Sequence, residues 1–228
     1  MKMLTKTFFA MAAGFCLFSS QADAAVITKV NTTSGLFDAS SGLRTFNFTI
    51  GESGGIISDV NIAIRFGKHD GETFGVNAGG TPFYNEIVFQ LIGNTVEFGT
   101  STIANLIDAS SWSSGTGGFL DRTITFDEQA SQVVNFSSEP LAGTYRTTGN
   151  GSALGLSQFN GLTLAAGDWT LFIQDTVGSD ALDFISAELT INAGPVEPPA
   201  SVPDGGSTVA LLGFAMSAVA GARRKFGV

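Results

Sequence analysis

Apolar residues recur at every second position in short runs along this chain, a period that fits antiparallel strands with one buried face and one wet face. Phe46, Phe48 and Ile50 alternate with Thr45, Asn47 and Thr49. Val60, Ile62, Ile64 and Phe66 do the same, as do Ile87, Phe89 and Leu91, Ile124 with Phe126, and Trp169, Leu171 and Ile173. The last run carries Ile185, Ala187, Leu189 and Ile191. Glycine-rich stretches at 51–55, 75–80, 115–118 and 149–151 punctuate the runs as turns. Only 102–109 reads as a helical turn, and no long 3.6-residue period occurs between the two ends. Many short strands without helices predict an all-β protein, a jelly-roll β-sandwich of about eight strands.

The two ends follow other rules. Lys2 and Lys6, an apolar run from Phe8 to Phe18 and the small-x-small Ala22-Asp23-Ala24 predict a secretory signal peptide over 1–24, exported through the Sec pathway. The run is about 11 residues, far below the roughly 20 needed to span a bilayer. A lipoprotein reading would need a small residue before Cys16, where Phe15 stands. Cys16 is the one cysteine, so cleavage after Ala24 leaves a cysteine-free protein. Residues 25–193 then hold the sandwich, and 194–201, with Pro195, Pro198 and Pro199, read as a linker. Beyond it, an apolar segment over 209–222 closes on the basic Arg223, Arg224 and Lys225. As a single hydrophobic helix it is about 21 Å long, short of a roughly 30 Å hydrocarbon core. Thinning of the bilayer would let it cross as a transient inner-membrane anchor, with the basic cluster acting as a cytoplasmic stop.

Between linker and apolar segment stand Val202, Pro203, Asp204, Gly205, Gly206, Ser207 and Thr208. Together with Leu211-Leu212-Gly213 and the basic end, they resemble the PEP-CTERM class of bacterial sorting signals in its VPDSG-like form. Pro-Asp-Gly-Gly stands where the commonest form has Pro-Glu-Pro. The resemblance implies recognition by an exosortase in the inner membrane of a Gram-negative bacterium, cleavage near the motif, and a destination at the cell surface or outside the cell.

A second resemblance runs from about Phe46 to Ile191. The chain reads Ile57-Ser58-Asp59-Val60-Asn61-Ile62, then His69, then Asn85-Glu86-Ile87-Val88-Phe89-Gln90-Leu91. Phe126-Asp127-Glu128-Gln129-Ala130, Gly143-Thr144-Tyr145-Arg146 and the 156–161 element follow, and then Gly167-Asp168-Trp169-Thr170-Leu171-Phe172-Ile173-Gln174-Asp175. In this order the elements resemble the P domain (Homo B) of proprotein convertases, an eight-stranded jelly roll. Glu86 stands where that family has Asp, Thr147 where it has Pro, and Ala187 where it has a late Trp. The resemblance implies a module that accompanies a separate subtilisin-like serine protease, whose catalytic residues are absent here.

Chemistry is sparse. With 20 acidic against 11 basic residues and a net charge of −9, nucleic acid is excluded as a partner, since phosphate binding needs clustered Lys and Arg. One His and one Cys exclude a two-histidine metal site, a cysteine zinc site and a CxxC redox motif. A nucleophile–base arrangement would need His69, which reads as a surface or turn-stabilising histidine in the polar 67–71 loop, and there is no Gly-x-Ser-x-Gly elbow. Asp127, Asp168, Asp175 and Asp180 fall at predicted strand ends, where hard oxygen ligands could hold structural Ca²⁺, the one cofactor this pattern admits. Trp112, in a Ser-rich loop, is the candidate for contact with a sugar ring; Trp169 heads an alternating strand and belongs to the core. The expectation is an exported, non-catalytic surface or extracellular-matrix protein with a structural or adhesive role, its partners being an exosortase and exopolysaccharide or other matrix components. The rivals are an accessory module for a protease and a glycan-binding module.

Overall fold

A computed structural model describes residues 24–97, 101–113, 115, 117–134, 139–147 and 155–194. The signal segment 1–23 and the linker, sorting motif, hydrophobic segment and basic end over 195–228 lie outside these residues. Ten strands are present among these residues: β1 (Ala25–Asn31), β2 (Gly35–Phe37), β3 (Ser41–Phe48), β4 (Ile56–Lys68), β5 (Ile87–Gly93), β6 (Thr102–Ile107), β7 (Phe119–Phe126), β8 (Gly143–Tyr145), β9 (Gly167–Asp175) and β10 (Leu182–Gly194). Three short 3-10 turns, Ile50–Glu52, Tyr84–Glu86 and Leu156–Phe159, join them, and no α-helix occurs among the described residues. Nor is any described helix long and apolar enough to cross a membrane.

The strands form two sheets. One runs β1-β10-β4-β7-β8, with β2 also pairing β10; the other runs β3-β9-β5-β6. All pairings are antiparallel except β7 with β8. The period-two pattern is the reason. In β4 it turns Val60, Ile62, Ile64 and Phe66 inward, and in β9 Trp169, Leu171 and Ile173, all at most 1% exposed. These two rows come from opposite sheets and meet in one core. Phe66 lies edge-on to Phe89 at 5.3 Å, and Trp169 packs on Phe159 at 4.6 Å and on Phe48 at 5.8 Å.

Three local expectations are corrected. Residues 102–107 form strand β6, not a helical turn. The i, i+3, i+4 spacing of Ile103, Leu106 and Ile107 imitates a helix face, but the free edge of β5 offers backbone partners that outweigh local spacing. Ile50 does not continue β3, because that strand ends at Phe48 and Ile50 is 84% exposed in a 3-10 turn capped by Thr49 and Glu52. In β10 a register shift between Phe184 and Ser186 moves the inward phase by one residue. Leu182 and Phe184 therefore face the core before the shift, and Ala187, Leu189 and Ile191 after it, while Ile185 is only half-buried.

Candidate functional site

A charged residue closes each of two alternating rows. Lys68 follows Phe66 in the inward phase of β4, and Asp175 follows Ile173 in the inward phase of β9. Both are 0% exposed. They end strands of opposite sheets, so the lysine reaches across the interior to the aspartate. Lys68 Nζ donates to Asp175 Oδ2 at 2.7 Å, lies 3.0 Å from Asp180 Oδ2 and 3.5 Å from Glu86 Oε2, and donates to the Asp180 carbonyl as well. Asp180 belongs to the turn between β9 and β10, and Glu86 to the 3-10 turn that leads into β5. The Thr176 N–H donates to the Glu86 carbonyl at 3.1 Å, tying the two turns together.

A second buried pair sits beside the first. His69 is also 0% exposed, and its Nε2 lies 2.9 Å from Asp183 Oδ2 on β10. The same oxygen accepts the Gly75 N–H at 2.6 Å, and Asp70 Oδ2 accepts the Gly80 N–H at 3.0 Å, so the 70–80 loop is fastened over this end of the sandwich. The expected surface position of His69 is thus corrected: immediate continuation of β4 carries it inside. Its other ring nitrogen faces the Asp70 carbonyl at 3.3 Å, and among the described residues no hydroxyl bonds to the ring.

Three carboxyls around one ammonium cannot all stay charged in a buried enclosure. Burial and the nearby Asp180 push Glu86 up to about 7 against the pull of Lys68. Burial likewise raises Asp175, to about 6, with Lys68 opposing. A carboxyl whose pKa rises on folding holds its proton more tightly in the folded chain. It therefore stabilises the fold fully below its unfolded value, 4.5 for Glu86, and that contribution is lost as pH climbs through about 7. Unfolding free energy should accordingly fall by on the order of 2 kcal/mol between mildly acidic and mildly alkaline buffer. Denaturant titrations across that range read this slope, and Glu86→Gln should flatten most of it.

The four aspartates expected at strand ends do not form one set. Asp175 and Asp180 converge, but on the Lys68 ammonium, which fills the position a cation would take. Asp168 is the second residue of β9, at the opposite end from Asp175, and accepts from Asn47 Nδ2 at 2.7 Å. Asp127 Oδ1 accepts the Gln129 N–H at 2.7 Å in an Asx-turn after β7. Among the described residues no group of three or more His, Cys, Asp or Glu is arranged to hold a metal ion. Trp112 is 3% exposed and stacks on Phe66 at 6.3 Å and 21°, which leaves it no open face for a sugar. The polar loop misled, because its Ser-rich composition hides a ring that turns inward together with the neighbouring Ser111. Lys68, Glu86 and Asp183 were not foreseen as site residues. The available signal was phase: a lysine and an aspartate each extending an inward row.

Residues 201–226 match the VPDSG-CTERM motif. The match covers the tail and none of the described sandwich. This motif implies exosortase processing, and with it an extracellular protein that passes the membrane on its way to the cell surface. No curated protein matches the chain. Among solved structures, the Agl-KA catalytic domain is 13% identical over 79% of this chain and 29% of its own, at a TM-score of 0.27. Infectious bursal disease virus of the Gx strain is 10% identical over 97% of this chain and 55% of its own, at 0.30. The Gt strain is 12% identical over 82% and 46%, at 0.22. The chain thus spans less than two thirds of each of these structures, and similarity at this level carries no weight for fold or function.

Proposed function

We propose that this protein is an exported, non-catalytic component of the cell surface or extracellular matrix, with a structural or adhesive role, delivered by exosortase cleavage of its tail. The observation that carries the reading is the VPDSG-CTERM match over 201–226, separated from the last strand by a Pro-rich stretch. The interior supports it. The buried polar groups at the end of the sandwich hold one another and the loop above them, an arrangement suited to holding a domain together. A jelly roll is the finer fold reading. It is supported by the strand order, since β1-β10-β4-β7 of the six-stranded sheet and β3-β9-β5-β6 of the other contribute four of the longer strands to each layer, and the chain repeatedly crosses between the layers. The P-domain likeness is supported by the same order and by the fall of its best-matching segment, 167–175, on β9.

Intact mass of the protein recovered from its native host tests the proposal. The expected product begins at Ala25 and ends within 202–208. A product running to Val228 would make the tail a plain membrane anchor and remove the exosortase step, together with the matrix role built on it.

A further inference from the structure

We propose that Lys68 and Asp175 are partners in an intramolecular isopeptide bond, closed within the folded sandwich with Glu86 as the proton carrier. The reacting groups are held in place by the fold. Lys68 Nζ and Asp175 Oδ2 stand 2.7 Å apart, both side chains are fully buried, and each is fixed by the last residue of a long strand in a different sheet. Such placement turns a slow condensation into an intramolecular step of high effective concentration. Burial raises the Asp175 carboxyl and so favours its neutral form, which is the acceptor for the amine nucleophile. Asp175 is the acceptor rather than Asp180 because Asp180 Oδ2 already receives the Phe83 N–H and lies farther from the amine. Glu86 Oε2, at 3.5 Å from Nζ, completes the set.

The step balances without an oxidant or a co-reactant. A proton passes from the Lys68 ammonium to the Asp175 carboxylate, leaving an amine and a carboxylic acid. Nζ attacks Cγ, and a carbon–nitrogen bond forms. Glu86 takes a proton from the nitrogen and gives it to the departing Asp175 oxygen. The carbon–oxygen bond breaks, one water leaves, and a secondary amide remains. The reaction occurs once per molecule and needs only the folded domain, so it stands or falls independently of tail processing.

The need for such a link is legible in the composition. The chain's one cysteine, Cys16, lies in the expected signal segment, so the exported domain has no disulfide to lock it. An amide between Lys68 and Asp175 would join the two sheets and close a loop of more than a hundred residues.

Peptide mapping of the purified full-length chain by tandem mass spectrometry tests the proposal. The expected result is a branched peptide containing Lys68 and Asp175, lighter than its two linear parts by the mass of one water. The Glu86→Gln protein should yield the two linear peptides instead, with a melting temperature lower on the order of 10 °C. Linear peptides from the parent protein would overturn the proposal and leave an ion pair. A branch to Asp180 would overturn the assignment of Asp175, and a branch that persists undiminished in Glu86→Gln would overturn the role of Glu86.

Discussion

Lys68→Ala should lower the unfolding free energy by about 3–5 kcal/mol, among the largest losses any single change can cause here. The substitution removes the cation that, among the described residues, Glu86, Asp175 and Asp180 share, and strands three carboxyls in an enclosure nearly closed to water. It also removes the amine on which any covalent tie between the sheets depends. Denaturant unfolding at neutral pH reads the loss. The loss should shrink in mildly acidic buffer, where the stranded carboxyls take up protons. Converting the contact to an apolar one, as Lys68→Met with Asp175→Leu, should recover a sizeable part of it, because removing both partners leaves fewer unpaired groups than removing one. A loss below about 1 kcal/mol for Lys68→Ala would show that the cluster does not hold this end of the sandwich.

Trp169→Ala should cost a similar amount, about 3–5 kcal/mol, by a different route. The ring is fully buried between Phe48 and Phe159, at 5.8 and 4.6 Å. Gly93 on β5 has no side chain because a Cβ there would run into Phe159 and reach within 3.0 Å of the Trp169 ring. That close fit leaves the neighbours little room to collapse into the space the ring vacates. Trp169→Phe should cost much less. It keeps most of the packing, and the indole N–H it deletes is buried with no hydrogen-bond partner. Equal losses for the two variants would mean that the indole N–H, and not ring volume, is what matters. Unlike the Lys68 loss, this one should not change with pH.

The stretches that could be read from the sequence are those whose period runs uninterrupted. Residues 60–66 of β4, 87–91 of β5, 124–126 of β7 and the whole of β9 bury the residues that alternation picks out. Where the backbone departs from regular pairing, the sequence points the wrong way. Ile185 looks in phase with Ala187, Leu189 and Ile191, but the register shift after Phe184 moves it outward. Ile103, Leu106 and Ile107 sit at helical spacing, and only the edge of β5 decides that they form a strand. The buried cluster is harder still, because Lys68 and Asp175 are separated by 107 positions and meet only once two sheets are stacked. Asp175 and Asp180 were legible as neighbours in need of a cation. That the cation is a lysine of the same chain follows from topology alone. Trp112 shows the reverse error, in which a polar neighbourhood hides a ring that packs on Phe66.

The pairing of β10 carries a mechanical consequence. Ala25 of β1 is in register with Ala193, so the start of the first strand and the end of the last lie side by side at one edge of the sandwich. The Lys68 cluster lies at the other end, about 40 Å away along thirteen residues of β10. A pull on the tail resisted at Ala25 would peel β10 from β1 one hydrogen bond at a time. The same pull resisted near residues 68–80 would load the β10–β4 ladder in shear, with its bonds sharing the force. A domain tethered through Gly194 is therefore mechanically strong toward anything gripping its far end, and weak toward anything gripping its own first strand.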